Sequence, residues 1–260
     1  VAIADPIIER AQYLSDTNGG TAAVYRTIEE ALAAVPCDAV LVASSDADHA
    51  AGVVPALAAG KWVFCEKPIE TTMAKCQAIL DADRAAGGRT FVGFNLRYAP
   101  VYETVRQLIA DGAIGRVLTI QADEFYDAGR TYFRRWNRLP ECGGLWITKA
   151  SHDFDLMNLF AGTSKAVDIF AVGRRTYYTP RADAAQYCGE CALADTCPDK
   201  AGRPHPLRAI SNRVTKTRHD LCLYNSSGDT FDHGIATVRY ENDIYATYTC
   251  NVVSGFCDRR

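Results

Sequence analysis

The segment Asp38-Ala-Val-Leu-Val-Ala43 is apolar at every position after the first. A strand with one wet face alternates; an unbroken apolar run predicts a strand covered on both faces, as in a parallel sheet. Parallel neighbours cannot be joined by a tight hairpin, so crossover segments of a dozen or more residues are required on either side. The flanking sequence supplies them. Val1-Ala-Ile-Ala4 reads as a strand ending at Asp5-Pro6, with a helical stretch from Pro6 to Leu14. Thr27-Ile-Glu-Glu30 matches a capping box and opens a helix through Leu32 and Val35. A small-residue helix follows His49, carries an awkward Pro55 and stops at Gly60. Lys61-Trp-Val-Phe-Cys65 is the next strand, Thr71 to Ala86 the next helix, and Thr90-Phe-Val-Gly-Phe94 a further strand. This rhythm predicts a doubly wound parallel sheet over residues 1–95.

Beyond Asn95 the pattern changes. Pro100 to Asp111 reads as a helix, Arg116 to Phe125 as a strand and residues 152–160 as a helix. Lys165–Arg175, Asp232–Tyr240 and Ile244–Val253 read as strands at hairpin spacing, with Asn242-Asp243 as a turn. A second, α+β domain with a mostly antiparallel sheet is therefore expected over residues 96–260, with 178–219 as a polar excursion.

Composition sets limits on function. The chain of 260 residues is 48% hydrophobic and 23% charged, with net charge −3. It can bury a core, and the near-neutral charge disfavours a nucleic-acid binder. No apolar run approaches the roughly 18–20 residues of a membrane span. Ten cysteines without a leader-like start point to a reducing, cytoplasmic setting.

Ligands of an open parallel sheet bind outside the carboxyl ends of its strands, so the residues there carry the chemistry. Asp5 is either an acceptor for ribose hydroxyls or a turn residue. Ser44 and Ser45 either permit close approach of a cofactor or cap a helix, and His49 either faces that site or starts the helix. Glu66-Lys67-Pro68 is the sharpest signal: it puts an amine at a strand end, before a proline whose bond is a candidate for cis. Such an amine serves as a proton shuttle or an electrostatic clamp; a solvated strand-end lysine is the plainer reading.

These residues, in this order, resemble the Gfo/Idh/MocA oxidoreductase family. The likeness runs from Ala4-Asp5-Pro6 through Ala59-Gly60-Lys61 to Glu66-Lys67-Pro68, then Gly93-Phe94-Asn95-Leu96-Arg97-Tyr98, and on through Gly143-Gly144-Leu145-Trp146-Ile147-Thr148-Lys149-Ala150-Ser151-His152-Asp153. The resemblance implies an incomplete Rossmann-type domain binding NAD(H), joined to a substrate and oligomerisation domain. It implies a cofactor site drawn from Asp5, Ser44, Ser45, His49, Glu66, Lys67, Pro68, Asn95 and Trp136. Lys67, Arg97, Lys149, His152 and Asp153 would meet a sugar, polyol or cyclic alcohol. His152 is the first candidate for the base, with Lys67 orienting the hydroxyl. Thr148 stands where many members carry an aspartate, and Lys149 follows, so the base assignment stays open between imidazole and amines. Tyr132-Phe133-Arg134-Arg135-Trp136 is either a pocket lining or a basic surface loop. The resemblance also implies a homo-oligomer formed through the second sheet.

The glycine-rich G-x-G-x-x-G turn of the family is not in the sequence, and the chain opens at what resembles the second strand. A fragment incomplete at both ends is the expectation, with weakened dinucleotide binding. Two other functions stay open: NAD-dependent glycoside cleavage on the same fold, or a non-catalytic regulator that senses a dinucleotide or sugar.

Cys188, Cys191, Cys197 and Cys222 have the spacing C-x2-C-x5-C followed by a distant fourth thiol. Four thiolates can close a structural zinc site. Free thiols in a loop, or a labile disulfide, are the alternatives.

Overall fold

The structure, a computed structural model, describes all 260 residues. It forms two compact units: Val1–Gly93 with Tyr187–Leu221, and Phe94–Gln186 with Cys222–Arg260.

The first unit alternates β1 (Ala2–Ala4), α1 (Ile8–Thr17), β2 (Ala23–Tyr25), α2 (Ile28–Ala34), β3 (Ala39–Val42), α3 (His49–Ala58), β4 (Trp62–Cys65), α4 (Met73–Ala85) and β5 (Thr90–Val92). Every strand pairing is parallel, as β1–β2 and as β3–β4–β5. These are two separate hydrogen-bonded sheets rather than the single one expected. The capping box at α2 forms: Glu30 N–H donates to Thr27 Oγ1 at 3.2 Å, and Glu30 Oε2 accepts from Thr27 N–H at 3.3 Å. The helix at α3 tolerates Pro55 within it. It packs closely on β3 because Gly52 carries no side chain; a Cβ there would lie 3.0 Å from Val42 Cγ1. Val42, Val53, Ala56, Leu57, Val63, Cys65 and Ile79 form the core of this unit. The expectation that β3 is covered on both faces is corrected. Val42 is buried, but Leu41 is 69% exposed. Successive side chains point to opposite faces, and only the face toward α3 is covered.

The second unit contains α5 (Pro100–Ala110), β6 (Thr119–Asp127), α6 (Gly129–Tyr132), α7 (Gly144–Thr148), α8 (Ser151–Ala161), β7 (Ala166–Arg174), β8 (His233–Tyr240), β9 (Tyr245–Asn251) and β10 (Val253–Arg259). Its five-stranded sheet has the order β10-β6-β9-β8-β7. Only β6–β9 is parallel; the other pairings are antiparallel. Alternation decides its faces: Ala236, Val238 and Tyr240 of β8 are buried while Ile235 is 49% exposed. The inward residues join Ala246, Tyr248 and Cys250 of β9, Met157 and Ala161 of α8, and Phe133. Truncating a fully buried aromatic such as Phe133 to Ala is expected to cost roughly 3–5 kcal/mol.

Residues 187–221 group with the first unit through α9 (Pro206–Thr215), which packs on α1. Arg10 Nη1 donates to Ser211 Oγ there at 3.2 Å. This segment corrects the zinc expectation. Cys188, Cys191, Cys197 and Cys222 do not come together as a metal-holding group, and all are free thiols. The backbone around Cys188 is held by carbonyl and carboxylate instead. Cys188 N–H donates to the Asp220 carbonyl at 2.8 Å, and Gly189 N–H donates to Asp220 Oδ2 at 2.9 Å. The Arg218 guanidinium holds Asp220 well below the usual carboxylate range and lies 3.9 Å over the Tyr187 ring. Cys222 falls in the other unit. No helix is long and apolar enough to cross a membrane.

Candidate active site

The carboxyl ends of the parallel strands position the polar residues of the first unit. After β1, Asp5 Oδ1 accepts from Ile7 N–H and from Arg10 Nη2, both at 2.7 Å. Asp5 is thus a turn residue and an ion-pair partner together. After β3, Ser44 is exposed and Ser45 half-buried. Ser45 precedes a single 3-10 turn and makes no side-chain cap.

His49 does not face a ligand. It is fully buried; Nδ1 donates to the Pro68 carbonyl at 2.7 Å, and Nε2 lies 3.3 Å from the Ser44 carbonyl. The expectation that it touches a cofactor is corrected: both ring nitrogens bind backbone, tying the loop after β3 to the loop after β4. That second loop contains the cis Lys67–Pro68 bond. Pro68 is buried, Glu66 exposed and Lys67 half-buried.

Sequence reasoning passed over the group facing Lys67. Asp46 is buried, and burial pushes its carboxyl up to about 6 against the opposing pull of Lys67 and His49. Glu70, buried beside it, accepts from Thr71 N–H at 2.7 Å and from Ala50 N–H at 3.3 Å. Asp46 is visible in the sequence as the third residue of Ser44-Ser45-Asp46, but at a strand end it reads as a cap. Cys65 shares this neighbourhood; burial, with Glu66 and Glu70, pushes its thiol up to about 12.

In the second unit α7 and α8 carry a separate polar cluster. His152 lies in the first turn of α8, half-buried, with its ring edge-on to Phe94 at 6.1 Å. Its neighbours face the protein. Asp153, expected to meet substrate, is 2% exposed. It accepts from Tyr248 O–H at 2.9 Å and lies 2.8 Å from Arg259 Nε. Arg259 also pairs with Glu124, and Glu124 pairs with Lys149 Nζ at 2.9 Å. The Lys149 ammonium sits 4.2 Å over the Tyr126 ring. Burial raises the Asp153 carboxyl, and Arg259 pulls it back down. Arg97, also expected at the substrate, instead forks onto Asp155, with Nε at 2.7 Å and Nη2 at 2.5 Å. Each of these two charges has an opposite charge within hydrogen-bond reach; the buried Asp153 is committed to that pair, whereas the half-exposed Arg97 keeps part of its guanidinium at the surface.

Asn95 is exposed at the start of a 3-10 turn. Residues 132–136 are no surface loop, since Tyr132, Phe133 and Arg134 are buried; Trp136 is 41% exposed.

Residues 1–94 match the description "Oxidoreductase family, NAD-binding Rossmann fold", and residues 102–260 match "GFO/IDH/MocA C-terminal domain". The chain belongs to the Gfo/Idh/MocA family. It is 31% identical over 235 residues to YteT of Bacillus subtilis, covering 82% of this chain and 54% of that protein. To an inositol 2-dehydrogenase of Rhizobium meliloti it is 29% identical over 202 residues, covering 77% of this chain and 58% of the relative. The chain thus spans little more than half the length of these relatives. Among solved structures, the WlbA dehydrogenase from Bordetella pertussis, in complex with NADH and UDP-GlcNAcA, aligns at TM-score 0.70 and 19% identity. That alignment covers 98% of this chain and 63% of the WlbA chain, and the likeness shows the fold.

Parallel strands direct Ser44, Glu66 and Lys67 to one edge, and Asp5 stands at the end of β1.

Proposed function

We propose that this chain carries the reactive groups of an NAD-dependent oxidoreductase that moves a hydride between nicotinamide and a carbinol carbon of a sugar, polyol or related cyclic alcohol. The observation that carries the reading is that Lys149, Asp153 and Asp155, which flank His152 in the sequence, are each paired within the protein. Asp153 is held by Arg259 and Tyr248, Asp155 by Arg97, and Lys149 by Glu124. Such commitments fix the first turn of α8, which is what a general base requires of its support.

When bound, the nicotinamide ring supplies the hydride acceptor. The substrate hydroxyl must lose its proton as the hydride leaves, and we assign its removal to His152. Lys67 orients the hydroxyl. Asp46, a carboxyl beside Lys67 that burial pushes up to about 6, is suited to exchange a proton with that amine. Lys149, locked to Glu124, is a positioning residue in this scheme.

The outer face of the second sheet supports self-association: Phe170 is 63%, Ile235 49% and Val172 37% exposed. We assign these residues to a contact with a second copy of the chain. The ten free thiols suit a reducing, cytoplasmic compartment.

The test is turnover of nicotinamide with a panel of cyclic polyols and sugars. Lys67→Ala and His152→Ala are each expected to lower kcat by about 100-fold or more with unfolding midpoints retained. Full turnover in either variant overturns the assignment.

A further inference from the structure

β7 is the last strand of its sheet, with β8 on one side and no strand on the other. A bare edge presents a row of unpaired N–H and C=O groups, a template for another strand, and folded chains usually blunt it with charge, proline or short length. The middle of β7 has none of these: Ile169-Phe170-Ala171-Val172-Gly173 carries no charge and no proline. The strand is uncovered on both faces as well. Phe170 and Val172 are exposed on the outer face, and Ile169 is 69% exposed on the inner one. Yet Val238, opposite Ile169 on β8, and Ala236, opposite Ala171, are buried. The core therefore ends at β8, and β7 extends the sheet without burying its own side chains.

The residues of the strand select its occupant. Consider β7 paired antiparallel with β7 of a second copy about a two-fold axis through Ala171. Ala171 then lies against itself, Phe170 against the partner's Val172, Ile169 against the partner's Gly173 and Asp168 against the partner's Arg174. Opposing residues of an antiparallel pair share a face and interact directly, and the symmetry makes each contact twice. An axis at Phe170 would instead set Asp168 against the partner's Val172, and an axis at Val172 would set Phe170 against the partner's Arg174. Of the three, the axis at Ala171 alone matches both charges.

Both charges are available. Arg239 reaches Asp168 only at Oδ2, from Nε at 2.6 Å and Nη2 at 2.5 Å, which leaves Oδ1 without a partner. The Arg174 side chain is exposed and makes no ion pair or hydrogen bond. A register shift between Ala166 and Asp168 ends the regular strand just outside the acid, so the stretch able to pair runs from Asp168 to Arg174 and is centred on Ala171.

We propose that two copies of this chain join their second-unit sheets edge to edge, β7 against β7, antiparallel about Ala171 and fastened by two Asp168–Arg174 pairs. This rests on the self-association proposed above and gives it an element and a register that packing of the outer faces alone would lack.

The register is read with Ala171→Cys and Ile169→Cys, both at exposed positions, treated with dibromobimane, which bridges thiols lying close together. Ala171→Cys is expected to give a symmetric cross-linked peptide by mass spectrometry, because opposing β-carbons lie about 4.5–5.5 Å apart. Ile169→Cys, facing the partner's Gly173, is expected to give none, and the parent serves as the control for the native thiols. Sedimentation equilibrium reads the charges. Arg174→Glu is expected to weaken the dimer by about tenfold, since two attractions become two repulsions. Adding Asp168→Lys is expected to restore most of the loss; the Asp168–Arg239 pair that it breaks is exposed, so the fold is kept. Dimers that persist without the Ala171→Cys link, or a double variant no tighter than Arg174→Glu alone, overturn the edge pairing while leaving contact through the outer face. A monomeric parent overturns both.

Discussion

Arg97 grips Asp155 through two parallel hydrogen bonds, Nε at 2.7 Å and Nη2 at 2.5 Å. Asp155 stands three residues after His152 on α8, so the fork anchors the turn that carries the imidazole. A lysine keeps the charge but cannot reproduce the fork. Arg97→Lys is therefore expected to lower stability by about 1 kcal/mol, a value tempered by the half-exposed guanidinium, and to lower kcat more than it raises KM. Urea unfolding and steady-state kinetics check this. A pure KM effect would return Arg97 to the substrate.

The Glu124–Lys149 and Arg259–Asp153 pairs form one buried network, joined by the contact of Arg259 with Glu124. Removing a single member strands its partners. Arg259→Met leaves Asp153 and Glu124 as two carboxylates near each other in a dry core, and is expected to cost about 3–5 kcal/mol. Denaturant midpoints report the loss. A cost below about 1 kcal/mol, typical of exposed pairs, would mean that water reaches the network.

Much of the first unit was legible in the sequence because its signals are local. The capping box at Thr27 and the glycine after α3 each act within a few residues, whereas the apolar run at β3 marked a strand but not, as expected, one covered on both faces. The end of β4 was legible too, since Glu66-Lys67-Pro68 is contiguous. The roles of Arg97 and Asp153 were not. Their partners Asp155 and Arg259 lie 58 and 106 residues away, and no spacing rule shows that a charge is already matched. The same holds for His49, whose partner carbonyl at Pro68 comes from another loop. β2 is only three residues long, too short for periodicity. The thiol spacing around Cys188 suggested a metal, yet Asp220 from the far end of the segment holds that backbone.

The outer face of the second sheet gives a direct test of self-association. Phe170 lies on β7, the edge strand, paired to Thr237. Phe170→Asp places a charge in the middle of the apolar patch, where burial against a partner would be costly. The variant is expected to sediment as a monomer where the parent forms dimers or larger assemblies, with little change in its thermal midpoint as a monomer. Identical masses for parent and variant would remove this face from the interface.

Asp5 offers a test of the proposed preference for NAD over NADP. Its Oδ1 is the acceptor for Arg10 Nη2, so replacing it does two things: it removes a charge that repels a 2′-phosphate, and it frees a guanidinium able to bind one. Asp5→Ser is expected to narrow the preference for NAD by at least about tenfold in kcat/KM. A ratio unchanged in the variant would limit Asp5 to its structural role in the turn.

Asp46 makes stability depend on pH in a direction opposite to that of an ordinary salt-bridged carboxylate. Burial raises its value from 3.8 to about 6, so the fold favours the protonated form. Its contribution is fully present below the unfolded value of 3.8 and is lost as the pH rises through about 6. Asp46→Asn keeps the shape without the charge. It is expected to stabilise the protein at about pH 8 by up to roughly 3 kcal/mol, at ~1.4 kcal/mol per pK unit, and to have little effect near pH 3.5–4. Thermal midpoints of parent and variant across that range give the comparison. An offset that stays constant with pH would show that the carboxyl is not held in its protonated form. If Asp46 also exchanges protons with Lys67, the acid limb of the turnover profile is expected to shift in the same variant, whereas a purely structural carboxyl would leave that limb in place.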